Sequence, residues 1–126
     1  MRRIQYESLK QWKYRLTADL LLDSSITGIY CKTEYIRLKD DGELLLFKGY
    51  AWDGPSGPTI DTEDSMRGSA GHDALYQLIG LGAVPESMRL YADLDLRRWC
   101  IEDGMPEVRA DIWYRAVRVF GGNHVD

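Results

Sequence analysis

Thr62-Glu63-Asp64-Ser65-Met66-Arg67-Gly68-Ser69-Ala70-Gly71-His72-Asp73-Ala74-Leu75-Tyr76-Gln77-Leu78-Ile79-Gly80-Leu81-Gly82 is the stretch on which the fold turns. Its apolar residues recur at three- and four-residue spacing, the period of a helix face. Thr62 before Glu63 and Asp64 reads as an N-cap followed by acids that suit the positive end of a helix dipole. The spacing predicts a helix from Thr62 to Ile79, stopped by Gly80-Leu81-Gly82. Downstream, Pro85 suits the first turn of a second helix, which carries Met88, Tyr91, Ala92, Leu96 and Trp99 and ends at Gly104. Pro106 opens a third, with Ile112, Trp113, Ala116, Val117 and Phe120 as the expected buried stripe and Gly121-Gly122 as its end.

Upstream the period changes from helical to alternating. The segments from Tyr14 to Leu22 and from Glu34 to Tyr50 are rich in Tyr, Ile, Leu and Thr, with two-residue alternation at Tyr35/Arg37 and Leu44/Leu46. Asp40-Asp41-Gly42 lies inside the second segment and reads as a hairpin turn, because Asp and Gly tolerate the positive φ of tight turns. Asp23-Ser24-Ser25 is a second, looser turn. The expected class is therefore α+β: a small N-terminal antiparallel β-sheet followed by three α-helices, the first two forming an antiparallel hairpin. At 126 residues, 44% hydrophobic and 11% aromatic, the chain is most simply one domain with one core. Residues 1–50 form its β-rich part, 51–61 a Gly/Pro loop and 62–122 its helical part. Cys31 and Cys100 form neither a C-x-x-C pair nor a disulfide framework. A net charge of −4 and a pI near 5.2 argue against a nucleic-acid partner. No signal peptide and no membrane-spanning run is read in the sequence.

Chemistry concentrates in three places. His72 and Tyr76 share a helix face at i,i+4, while Asp73 is rotated by about 100° from His72. One of the two neighbours can therefore handle a proton while the other binds a cation; alternatively, His72 is a core histidine and Asp73 a surface charge. Asp93, on the next helix, is placed to reach His72 across an antiparallel hairpin and to orient its imidazole, as the third member of a catalytic triad does. Asp95, rotated by about 200° from Asp93, is expected to face solvent or the sheet. In the alternative, both acids are solvated beside Arg89 and Arg97, with Arg97 an ordinary surface partner of Asp93. The third place is the turn from Tyr50 to Pro58, whose Gly-Pro steps leave carbonyl oxygens of the kind hard cations take. It is not an EF-hand, and it reads equally as a plain connection between sheet and helices. An HD pair also occurs in metal-dependent phosphohydrolases, but these need further histidines and only His124 remains.

The motifs W-D-G-P-S-G-P, A-G-H-D-A-L-Y, Y-A-D-L-D-L and A-V-R-V-F-G, in this order, resemble an uncharacterised family of bacteriophage and prophage proteins, a domain of unknown function. The resemblance covers most of the chain after Tyr50. It implies a phage or prophage origin, in a virion or the host cytoplasm, and gives no established activity; read as a virion or host-interaction component, the protein would have other phage proteins or a host protein as partners and would assemble into an oligomer or particle. The same elements resemble the catalytic core of phospholipase A2, most closely the version within parvovirus capsid proteins. That resemblance implies His72 as general base, Asp93 as its partner and Tyr76 beside them. It further implies a calcium ion held by Asp73 and by the loop at Trp52, Asp53, Gly54 and Ser56, with a lipid as substrate. The loop departs from the phospholipase pattern in having Trp52-Asp53 between its tyrosine and Gly54. The expected function is a virion or host-interaction component that keeps a phospholipase-like helix pair; the alternative is a calcium-dependent phospholipase or esterase using a His72/Asp93 dyad.

Overall fold

The computed structural model describes residues 3–9, 14–53 and 62–121. The fold is α+β, strands first and three helices after them. It comprises two compact units, Met1–Gly54 and Pro55–Asp126, taken in turn below.

Among its described residues the first unit has seven short strands: β1 Tyr6–Ser8, β2 Tyr14–Leu16, β3 Leu20–Asp23, β4 Cys31–Lys32, β5 Ile36–Leu38, β6 Glu43–Leu46 and β7 Ala51–Trp52. They form two antiparallel sheets, β1-β2-β7 and β3-β6-β5-β4, where the sequence suggested one. The reason lies at two facing breaks. Asp19 interrupts the run from Tyr14 to Leu22, and its carboxylate accepts the Lys48 amide at 2.7 Å. Opposite it, Gly49 turns the other ribbon at φ +96°. Both ribbons bend here and pass from one sheet to the other. The hairpin expected at Asp40-Asp41-Gly42 is present: Gly42 takes φ +94° and Asp41 accepts the Glu43 amide at 2.9 Å. Register sets the core, since Leu20↔Leu46, Leu22↔Leu44, Ile36↔Leu46 and Leu38↔Leu44 are paired and all fully buried. Tyr6, Tyr14, Tyr50 and Trp52 gather their rings on the smaller sheet, Trp52 lying 5.6 Å from Tyr14 and stacked on Tyr50 at 6.2 Å.

The second unit contains α1 Glu63–Gly80, α2 Arg89–Glu102, entered through a single 3₁₀ turn at Glu86–Met88, and α3 Glu107–Phe120. Thr62 caps α1, and the Ser65 hydroxyl reaches back to accept the Thr62 amide at 3.2 Å. The helix is buried without interruption from Ser65 to Gly71. Two glycines let α2 approach it closely. A Cβ on Gly68 would lie 2.9 Å from Cys100 Sγ, and one on Gly71 would lie 2.6 Å from the ring of the fully buried Trp99. Early residues of α1 meet late residues of α2, so Arg67 bonds Asp103 and Glu102 at 3.0 and 2.8 Å while Tyr76 meets Asp93. That is the antiparallel hairpin. Between α2 and α3, Leu96, Cys100, Met105, Ala110 and Trp113 form the core, with Ile101 and Val117 at its margin.

The expected stripe of α3 needs one correction. Ile112 is 54% exposed, and Ala110, about 200° round the helix from it, takes the buried position with Trp113. The Phe120 side chain lies outside the described residues. Tyr91 is likewise half exposed, because α2 turns Ala92, Asp93 and Leu96 inward. Among the described residues no helix is long and apolar enough to cross a membrane.

Candidate functional site

The middle of the α1–α2 hairpin is polar. His72 Nε2 lies 2.7 Å from Asp93 Oδ1, within the range expected of the dyad. Tyr76, one turn beyond His72, donates its hydroxyl to the same oxygen at 2.5 Å. The two rings stand 4.2 Å apart, so Tyr76 packs the imidazole as well as sharing its acceptor. Asp93 itself is fully buried between Ala92 and Leu96. A carboxylate sealed from water is costly unless each oxygen finds donors, and here the second oxygen finds them on other turns. Arg118, from α3, donates Nη1 to Asp93 Oδ2 at 2.7 Å. Arg89, one turn before Asp93, places its Nη1 3.5 Å from Oδ2 and contacts the Tyr76 hydroxyl at 3.4 Å and the Val117 carbonyl at 3.3 Å.

These contacts set the protonation states. Burial alone would raise the Asp93 pKa, but hydrogen bonds from His72, Tyr76 and Arg118 outweigh it and hold the carboxyl below its ordinary range. Burial, then donation to Asp93, pushes the Tyr76 phenol well above its usual value, so it remains a donor. With Asp93 ionised, the hydrogen-bond network assigns a proton to Nε2 of His72, so that Nδ1 is the ring nitrogen that can accept. The His72 side chain keeps 11% of its surface exposed. A fully buried carboxylate bonded to a largely covered imidazole is an arrangement that can orient a general base.

The third helix closes over this group. Gly121, at its C-terminal end, has an ordinary helical φ of −62°, but a Cβ there would come within 2.4 Å of the Tyr76 hydroxyl. The constraint is space and not backbone conformation.

Of the residues expected in the site, His72, Tyr76 and Asp93 are brought together. Asp73 is exposed on α1 in the sector next to His72. Trp52 is buried in the aromatic cluster of the first unit and Asp53 is exposed at the end of β7. Gly54 and Ser56 lie outside the described residues. A calcium ion takes about six to eight oxygens, and among the described residues no group of three His, Cys, Asp or Glu side chains is arranged for a metal. Asp73 is thus one carboxylate of a set whose other expected members belong to the first unit or to the undescribed loop. Asp95, expected to face solvent or the sheet, is also buried and pairs with Arg98 at 3.2 Å. Arg97 does not serve Asp93 either; it reaches α3, where it meets Asp111 at 2.6 Å and Glu107 at 3.1 Å.

Sequence reasoning set Arg89 beside the acidic pair only in its solvated alternative, and missed Arg118. Arg89 was readable as an i,i+4 partner of Asp93. Arg118 carried no such signal, because its distance along the chain is bridged only once α3 is packed. No protein-family model, curated protein or solved structure matches the chain.

Proposed function

We propose that the helical unit carries a hydrolytic general-base site of the kind seen in phospholipase A2, on a phage-type protein. His72 is the base, Asp93 orients it, and Tyr76, Arg89 and Arg118 hold Asp93. One observation carries the reading: the 2.7 Å bond from His72 Nε2 to a fully buried, ionised Asp93 leaves Nδ1 as the acceptor on a ring that reaches the surface. In this reading Nδ1 removes a proton from water as the water attacks an ester carbonyl, Asp93 stabilises the imidazolium that forms, and the imidazolium returns the proton to the leaving alkoxide as the ester C–O bond breaks. A calcium ion at Asp73, if bound, would polarise that carbonyl.

The test compares wild type with His72→Gln in hydrolysis of short-chain phosphatidylcholine, with and without calcium. Glutamine can still donate to Asp93, so the melting temperature should hold. Turnover should fall by about 10²–10⁴-fold, the usual contribution of a general base. Equal turnover in the two proteins, or none in wild type, would falsify the reading.

A second reading is favoured by a specific contact. Arg118 reaches Asp93 from the third helix, so the carboxylate ties α1, α2 and α3 together. Buried networks of this type specify packing without any turnover. On that reading the protein is a virion or host-interaction component with other phage proteins or a host protein as partners. His72→Ala would then lower stability by about 1–3 kcal/mol and change assembly, with no catalysis to lose.

A further inference from the structure

Charge around Asp93 does not balance. Arg89 and Arg118 both direct Nη1 at one oxygen, Oδ2, at 3.5 and 2.7 Å. Among the described residues Asp93 is the only ion-pair partner of either arginine. Glu86, exposed in the turn before α2, attracts Arg89 more weakly and makes no ion pair with it. Two guanidinium charges are therefore held against one buried carboxylate, in a chain whose net charge is −4. Like charges gathered this closely at a partly buried place repel, and an anion relieves the repulsion.

The donor inventory agrees. A guanidinium carries five N–H groups in a planar fork. Both arginines spend Nη1 alone on the protein, and Nε and Nη2 of each find no acceptor among the described residues. Neither side chain is sealed: Arg89 is 17% and Arg118 32% exposed. Both are tethered at one end, so little side-chain freedom remains to be lost when the other end binds a ligand. A carboxylate has two oxygens to offer, whereas two forks suit the three oxygens of a phosphate.

We infer that Arg89 and Arg118 form a phosphate-binding site beside His72. The inference deepens the proposed hydrolytic reading by naming a phosphate-bearing ligand for the same face of the unit, but its readout is binding and not turnover. The source of the phosphate, a lipid headgroup or a free phosphate, is separated by experiment.

The imidazole signals of the protein, with His72 assigned by comparison with His72→Gln, are followed by NMR while inorganic phosphate is titrated at constant pH and ionic strength. A saturable shift of the His72 signal is expected with phosphate, and none with chloride. Arg118→Gln should weaken phosphate binding at least about tenfold, the scale of losing one charge-assisted fork. Arg118→Lys keeps the charge and a bond to Asp93 and should fall between, so a folding defect in the glutamine variant cannot hide the result. Arg97→Gln, which removes the same charge at the Asp111–Glu107 pair, should bind as wild type. No saturable shift in wild type, or equal weakening by Arg97→Gln and Arg118→Gln, overturns the site. Vesicles supply the second arm. A stronger response to phosphatidylglycerol vesicles than to inorganic phosphate assigns a lipid headgroup; a response to inorganic phosphate alone assigns a soluble phosphate, and both keep the site. Phosphate binding with no ester hydrolysis would reject the hydrolytic reading and leave this one standing.

Discussion

Asp93 accepts from three other residues, and its removal has a definite cost at the scale of single residues. Asp93→Asn keeps the shape but takes away the charge that Arg89 and Arg118 share, and it presents an NH₂ to at least one donor. A loss of about 3 kcal/mol in urea unfolding is expected, the lower part of the range for breaking a buried charge pair, because the arginines can turn to water. The pH dependence has a fixed sign. The folded-state pKa of Asp93 is depressed below its ordinary 3.8, so the folded form binds the proton less readily than the unfolded chain. Its contribution is complete above the ordinary aspartate range and is lost as pH falls through the depressed value. The stability difference between wild type and Asp93→Asn should therefore be flat at neutral pH and shrink only in acid; a difference unchanged down to pH 2 would show that the carboxylate is not preferentially ionised in the fold. His72, Tyr76 and Asp93 were legible because helical geometry projects i, i+4 and hairpin partners from the chain itself. Arg118 was not, since no local rule says which turn of a third helix will meet a given carboxylate.

Among the elements, α1 and α2 touch because glycine stands where any other residue would obstruct. Gly71→Ala gains about 1 kcal/mol of helix propensity but drives a methyl into Trp99, which is fully buried and cannot withdraw. Overpacking costs about 1–3 kcal/mol, so thermal melting should report net destabilisation. Gly121→Ala is the more telling change. Its backbone is ordinary helix, and the collision is with the Tyr76 hydroxyl; on the proposed hydrolytic reading the expected result is reduced turnover with circular dichroism unchanged, from a residue whose added Cβ would meet Tyr76 first. Helix number, order and ends were legible from capping residues, prolines and glycines. The division of the strands into two sheets was not, because it depends on Asp19 and Gly49 falling opposite each other, a tertiary pairing that alternation cannot show. Ile112 was misplaced for a related reason: several sectors of α3 are apolar, and the one that faces α2 is chosen by Ala110 and Trp113 fitting against Leu96 and Cys100.

At the scale of the molecule, the two cysteines provide an internal gauge of unfolding. Burial, followed by Asp103 and Asp64, pushes the Cys100 thiol up to about 12, so in the fold it is both covered and protonated. Cys31 is only partly covered. A disulfide reagent at mildly alkaline pH should label Cys31 in the native protein and Cys100 only at the rate the helical unit opens; prompt labelling of both would contradict the packing of α1 on α2. The two arginines that meet at one oxygen of Asp93 also have a meaning for inheritance. Either one alone can neutralise the carboxylate, and the loss of either relieves the crowding of the pair. A lineage should therefore drift through the loss of Arg89 or of Arg118 at modest cost in stability, while the second loss exposes a debt the first concealed. The double variant should fall below the sum of the singles by about 1 kcal/mol in a double-mutant cycle, so that what is neutral at one position depends on the ancestor's residue at the other.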